Sequence, residues 1–162
     1  MKRGLFAGSF DPFTVGHARV VSQALDLFDE VVVAAMVNPD KTSFFTEEER
    51  LSFIEATYAD EPRVKPMLFF GTQAELLDKV QADYLVRGVR NGTDCDYETL
   101  SLYATRKFFP AVNAVYFPCD QDLLSVSSTV VRSCFLFDKP FADYIPEKAL
   151  PLVEAALKRK KG

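Results

Sequence analysis

Five short apolar runs alternate along the chain with longer stretches whose apolar residues recur at helical spacing. The runs cover residues 3–7, 30–37, 64–70, 84–86 and 114–118, and each reads as a strand. Between the first two, Val20, Val21, Ala24, Leu25 and Phe28 form one apolar helical face. Thr46-Glu47-Glu48-Glu49 is a capping box, and Leu51, Ile54 and Tyr58 follow it as the expected core face of a second helix. A third helix is expected over residues 73–80. A fourth is expected over 97–109, stopped by Pro110. A fifth begins near Ser127, and the last covers 151–160 after a loop holding Pro140 and Pro146.

Strands that are apolar throughout and alternate with helices imply a parallel sheet covered on both faces. Right-handed crossovers then give an α/β, doubly wound, five-stranded sheet, expected as one domain over residues 1–162. Ligands bind such sheets beyond the carboxyl ends of the strands, near a topological switch point. The sequence gathers polar and glycine residues at those ends. Ser9 and Phe10 follow the first strand, Asn38-Pro39-Asp40-Lys41 the second, and Gly71-Thr72 the third. Arg87-Gly88-Val89-Arg90 follows the fourth, and residues 125–129 follow the fifth after a short loop.

Composition narrows the classes. The net charge of −4 argues against a broad nucleic-acid footprint. No window is apolar for the length of a membrane span, and the amino-terminal run is too short for a signal peptide. The three cysteines are far apart, lack metal-ligand spacing and read as reduced thiols of a cytoplasmic protein. The basic run Lys158-Arg159-Lys160-Lys161 reads as a solvated helix end. Asp94, Asp96 and Glu98 read as a solvated helix start, and no metal ligand is assigned.

The chemistry concentrates at the first strand end. Gly8-Ser9-Phe10-Asp11-Pro12-Phe13 leads into Thr14-Val15-Gly16-His17, with the only histidine of the chain in the first turn of a helix. Backbone N–H groups there favour an anion, and Gly16 lets a ligand approach the backbone. An imidazole at that point can donate to an α-phosphate oxygen, and the helix dipole would disfavour its charged form. Thr14 suits both N-cap and phosphate contact, Ser9 a turn that reaches phosphate, and Asp11 and Pro12 a shaped turn. Lys41 suits a phosphate that bridges two substrates. Arg87 and Arg90 bracket Gly88 as a double anion clamp, although a surface salt bridge also fits Arg90. Ser127-Ser128-Thr129 offers more hydroxyls than one N-cap needs, and Arg132 follows. There is no GxxxxGK[ST] loop, GxGxxG fingerprint or GxSxG elbow. A Ser-His-Asp hydrolase stays formally open through His17, against the phosphate-type turn that holds it.

The first signature resembles that of the (T/H)xGH nucleotidyltransferase superfamily. Asn38-Pro39-Asp40-Lys41, Phe45-Thr46-Glu47-Glu48-Glu49-Arg50, Arg87-Gly88-Val89-Arg90 with Asp96-Tyr97-Glu98, and Val126-Ser127-Ser128-Thr129 sharpen the resemblance to the phosphopantetheine adenylyltransferase family. The resemblance implies a Rossmann-like nucleotidyltransferase fold. It also implies adenylyl transfer from ATP to 4′-phosphopantetheine, giving dephospho-CoA and pyrophosphate. Attack would be direct and in line, with Mg²⁺ entering with ATP and six chains in the assembly. His17, Lys41 and Arg90 are the expected catalytic residues. Ser9, Phe10, Thr14, Gly16, His17, Gly88, Arg90, Glu98, Ser127, Ser128 and Thr129 are the expected ATP contacts. Ser9, Lys41, Thr72 and Arg87 are expected at the acceptor. The chain departs from the family where Phe69-Phe70-Gly71-Thr72-Gln73-Ala74 replaces a leucine-rich segment, and where Arg132 replaces a common lysine. Two other readings stay open. One is a sister nucleotidyltransferase acting on nicotinate mononucleotide or a polyol phosphate. The other is a nucleotide-binding module without catalysis.

Overall fold

The computed structural model describes all 162 residues. Five parallel strands, β1 (Arg3–Gly8), β2 (Glu30–Val37), β3 (Val64–Phe70), β4 (Tyr84–Val89) and β5 (Asn113–Pro118), form one sheet in the order β3-β2-β1-β4-β5. The chain winds outward from β1 to the β3 edge, then returns to β4 on the other side of β1. The β1–β4 boundary is therefore the switch point. No helix is long and apolar enough to cross a membrane.

The period-two alternation of the strands decides the layers. Phe6, Val31, Val33, Ala35 and Val86 face one core with Val20, Val21 and Ala24 of α1 (Val15–Leu25) and Ile54 of α2 (Glu47–Thr57). Leu5, Val32, Ala34 and Leu85 face the other, under Leu76 and Leu77 of α3 (Gln73–Val80) and Leu102 of α4 (Gly92–Arg106). Each fully buried Val or Leu contributes about 1.5–3 kcal/mol of transfer free energy, so a one-residue slip of any central strand is strongly disfavoured. A third cluster joins Phe45 and Phe53 to α5 (Ser128–Leu136) and α6 (Leu150–Lys161), through Val131, Phe135, Val153 and Ala156.

Four expectations are corrected in detail. Phe28 packs into the first core but lies beyond the end of α1 at Leu25. The buried face of α2 is Arg50, Phe53 and Ile54, with Leu51 only half-buried, because α6 covers a different stripe than the periodicity suggested. Helix α4 starts five residues before the expected position. Asn91 caps it by accepting from the Asp94 N–H at 2.9 Å, and the helix ends at Arg106. Strand β4 runs on through Val89, because β5 pairs with Arg87, Gly88 and Val89. Arg87 and Gly88 are thus strand residues, and only Arg90 of that clamp follows the strand.

Candidate active site

Two helix N-termini meet at the switch point. In α1, Thr14 accepts the His17 N–H at 3.4 Å while the Thr14 N–H donates to His17 Nδ1 at 3.0 Å, a reciprocal cap with histidine in the usual Glu position. In α5, Ser127 caps the Val130 N–H at 3.1 Å. Thr14, Gly16, His17, Val126, Ser127 and Ser128 line one hollow of about 460 Å³ together with Gly88, Arg90, Tyr97 and Cys119. An adjoining hollow of about 420 Å³ shares His17, Gly88, Tyr97, Glu98 and Ser128, and adds Ser9, Phe10, Arg87 and Ser101. The N–H groups of Val15, Gly16, Ser128 and Thr129 have no partner within the chain, as expected for first-turn donors.

His17 is fixed as a donor. Its Nδ1 accepts from the Thr14 backbone, so the neutral ring carries its hydrogen on Nε2. Phe10, Phe13 and Phe6 wall the ring, with centroids 4.9, 5.3 and 6.1 Å away. Burial pushes its pKa down to about 4, and the ring is neutral at neutral pH. Desolvation by burial causes this shift, and the dipole at the α1 N-terminus acts in the same direction. The Phe10 ring belongs to the core, and the residue takes a left-handed φ of +46° at the edge of the second hollow.

The glycines separate by cause. A Cβ on Gly88 would lie 2.6 Å from Val20 Cγ2, so close packing of α1 on β4 already requires glycine there. A Cβ on Gly16 would meet nothing nearer than 3.5 Å. The fold leaves that position free, and glycine there keeps open space over the α1 N-terminus.

The two arginines take different surroundings. Arg87 is buried; its Nε donates to Glu98 at 2.9 Å, its NH1 to the Val86 carbonyl at 2.9 Å, and its NH2 to Gln73 Oε1. Burial pulls its pKa down and the Glu98 carboxylate opposes that shift. Glu98, expected on the nucleotide, is held by Arg87 and lines both hollows. Arg90 is half-exposed and pairs with Asp94 at 3.1 Å, while lining the larger hollow.

The hydroxyls of the Ser-Ser-Thr run each have a partner in the chain. Ser127 caps the helix, Ser128 donates to the Pro12 carbonyl at 2.8 Å, and Thr129 accepts from Arg132 at 3.3 Å. Ser127 and Thr129 accept in these bonds, so their O–H donors stay free beside the backbone N–H groups of α5. Arg132 also donates to the Asp11 carbonyl at 2.7 Å, a brace between α5 and the first turn. The Asp11 carboxylate accepts the N–H groups of Phe44 and Phe45 at 2.7 and 2.9 Å, which matches the turn-shaping role.

Lys41 and Thr72 lie outside the two joined hollows. Lys41 is exposed and lines a separate hollow of about 380 Å³ with Asn38, Ser43, Arg50 and Lys160. Arg50 links the two regions, because its NH1 donates to the Ser9 carbonyl at 2.6 Å. Thr72 is the N-cap of α3, engaged with Glu75, and lines a depression beside Phe108 and Phe109. Its neighbour Gln73 is the residue that reaches Arg87. Sequence reading missed Gln73, Ser101 and Cys119, because each lies within a helix or beyond a strand with no local motif to mark it, and it quoted Tyr97 only as part of Asp96-Tyr97-Glu98 without a site role.

The chain matches the cytidylyltransferase-like family over residues 5–133. It is similar to phosphopantetheine adenylyltransferases from three sources. The Porphyromonas gingivalis protein is 38% identical over 143 residues, spanning 88% of this chain and 93% of that protein. The Kocuria rhizophila protein is 37% identical over 156 residues, spanning 95% and 99%. The Bacteroides thetaiotaomicron protein is 34% identical over 147 residues, spanning 91% and 97%. In fold the chain resembles a crystal structure from Vibrio parahaemolyticus provisionally assigned as a nicotinate-nucleotide adenylyltransferase. That match has a TM-score of 0.73 at 20% identity and covers 99% of this chain and 97% of the other. At that identity it bears on the fold alone. The switch-point cleft, the Thr14-His17 cap and the relatives at more than 30% identity agree, and the chain belongs to the phosphopantetheine adenylyltransferase family of cytidylyltransferase-like nucleotidyltransferases.

Proposed function

We propose that the chain transfers the adenylyl group of ATP to 4′-phosphopantetheine, forming dephospho-CoA and releasing pyrophosphate, the penultimate step of coenzyme A synthesis. The observation that carries this reading is the convergence of two helix N-termini, a neutral His17 donor and the Arg87 guanidinium on one joined cleft. Such a cleft offers donors to a polyphosphate. The family relatives supply the acceptor.

The acceptor phosphate oxygen attacks the α-phosphorus, and the bond to the β-bridging oxygen breaks. Pyrophosphate carries away the electron pair. Catalysis of this kind rests on positioning and charge stabilisation. His17 Nε2–H donates to an α-phosphate oxygen. The free N–H groups of α1 and α5 receive the β- and γ-phosphates beside Ser9, Ser127, Ser128 and Thr129. Arg90, Gly88 and Glu98 border the nucleotide, Arg87 receives the acceptor phosphate, and Lys41 bridges the two substrates from its loop. Thr72 borders the acceptor arm.

Mg²⁺ would arrive with ATP. No group of three or more His, Cys, Asp or Glu side chains stands together to hold an ion. Asp11, Asp94 and Glu98 are engaged with Phe44 and Phe45, Arg90, and Arg87. These residues do not form a cage, so the ion's ligands would be phosphate oxygens and water. The assembly we infer is a homohexamer acting in the cytoplasm. The exposed apolar face of α4, with Tyr97, Leu100 and Tyr103, supports contact between copies.

The test is pyrophosphate release from ATP and Mg²⁺, with 4′-phosphopantetheine and nicotinate mononucleotide compared. Release with the pantetheine substrate, and dephospho-CoA in step, is expected. Release with the mononucleotide alone would replace this reading with the sister activity. ATP binding without release on either acceptor would replace it with a non-catalytic module.

A further inference from the structure

An arginine guanidinium has five N–H donors. In Arg87 three are used inside the chain, by Glu98, the Val86 carbonyl and Gln73. One donor on each terminal nitrogen is left without a protein acceptor, and Arg87 lines the hollow that holds His17 and Ser9. Two donors on the two terminal nitrogens form an end-on fork that matches two oxygens of one phosphate. The direction of that fork depends on what fixes the guanidinium plane. Glu98 holds the Nε side. Gln73 holds NH2, and it alone anchors that terminal nitrogen.

The Gln73 amide is itself oriented. Its Nε2 donates to Thr105 Oγ1 at 3.3 Å. The Thr105 hydroxyl donates to the Ser101 carbonyl at 3.0 Å, so toward Gln73 it can only accept. Thr105 is buried at 8% exposure, which keeps water from substituting in this chain. Flipping the amide would set its NH2 against the guanidinium and its oxygen against an accepting hydroxyl. Gln73 Oε1 is therefore held toward Arg87. A neutral acceptor also leaves Arg87 its charge, part of which Glu98 already offsets.

We infer that Gln73, oriented by Thr105, is a positioning residue that aims the free fork of Arg87 at the acceptor phosphate. This rests on the reading of Arg87 as the acceptor's phosphate site. Where the chain departs from its family's leucine-rich pattern, a polar residue at the start of α3 braces the arginine of β4.

The experiment is steady-state kinetics of the full chain, by pyrophosphate release, varying 4′-phosphopantetheine and ATP separately. Gln73→Leu is expected to raise the acceptor KM at least tenfold, with ATP KM and melting temperature nearly unchanged. Thr105→Val should shift the acceptor KM in the same direction by threefold or more, and Thr105→Ser should restore it. An unchanged acceptor KM in a folded Gln73→Leu, or an equal rise in both KM values, would overturn the positioning role. If Gln73→Leu does not fold, the Thr105→Val and Thr105→Ser pair decides on the same criterion. An active wild type with an unmoved variant would sink the positioning role alone. A wild type silent on this acceptor would sink the functional reading, and this inference with it.

Discussion

His17 is kept neutral by its phenylalanine surroundings and kept as an Nε2–H donor by the Thr14 backbone. A donor that meets the α-phosphate most strongly as charge develops acts on turnover more than on binding. His17→Ala should lower kcat about 100- to 1000-fold and leave ATP affinity, read by calorimetry, within a few-fold. The same neutrality makes the fold sensitive to acid. The folded pKa of about 4 is below the ordinary 6.5, so between those values the unfolded chain binds more protons. The stability this residue contributes is full above pH 6.5 and is lost as pH falls toward 4. Urea unfolding of wild type and His17→Gln at pH 7 and pH 4.5 should isolate a loss of about 2 kcal/mol that the variant lacks. Histidine's place at the turn was legible in the sequence, because the Thr-x-Gly-His spacing is local. Its ring environment was not, because Phe6 and Phe10 reach it from the strand and the turn that follows.

Among the elements, the local devices could be read and the remote ones could not. The Thr46-Glu49 box was visible in four consecutive residues, and it forms with bonds of 3.1 and 2.9 Å. The extension of β4 to Val89 was invisible, because it depends on pairing with β5 about thirty residues later. Arg87 thus looked like a loop residue and proved to be a buried strand residue. Gln73 gave no signal either; one glutamine at a helix start has many uses. Asp11 was legible as a turn-shaping residue, and its partners on a distant loop were not. It ties the loop before α2 to the turn after β1 through two N–H bonds, one buried and one partly buried. Asp11→Ala should cost about 2–4 kcal/mol in urea unfolding, since both donors lose their acceptor. Thr46→Ala, the loss of one exposed cap, should cost only about 1 kcal/mol.

For the molecule as a whole, the strand order puts β1 in the middle and the two helix N-termini over its carboxyl end. Alternation of apolar runs with helices was enough to foresee a doubly wound parallel sheet with polar residues at its carboxyl ends, but not the strand order. Assembly was not foreseeable from the pattern. Tyr97, Leu100 and Tyr103 are more than half exposed on a helix whose other side carries buried Leu102 and Thr105. Sedimentation should give six chains per particle, and Leu100→Asp should give a smaller one.

The brace between α5 and the first turn carries a consequence in time. Ser128 and Arg132 hold the carbonyls of Pro12 and Asp11, partners 116 and 121 residues earlier in the chain. During synthesis at about 5–20 residues per second, the turn beneath His17 therefore waits roughly 6–25 s for its anchor. A nascent chain that has emerged only through β4 has four of its strands but lacks the α5 N-terminus that completes the cleft. Nucleotide added to stalled ribosomes of increasing chain length should begin to protect the nascent protein only after α5 has left the exit tunnel.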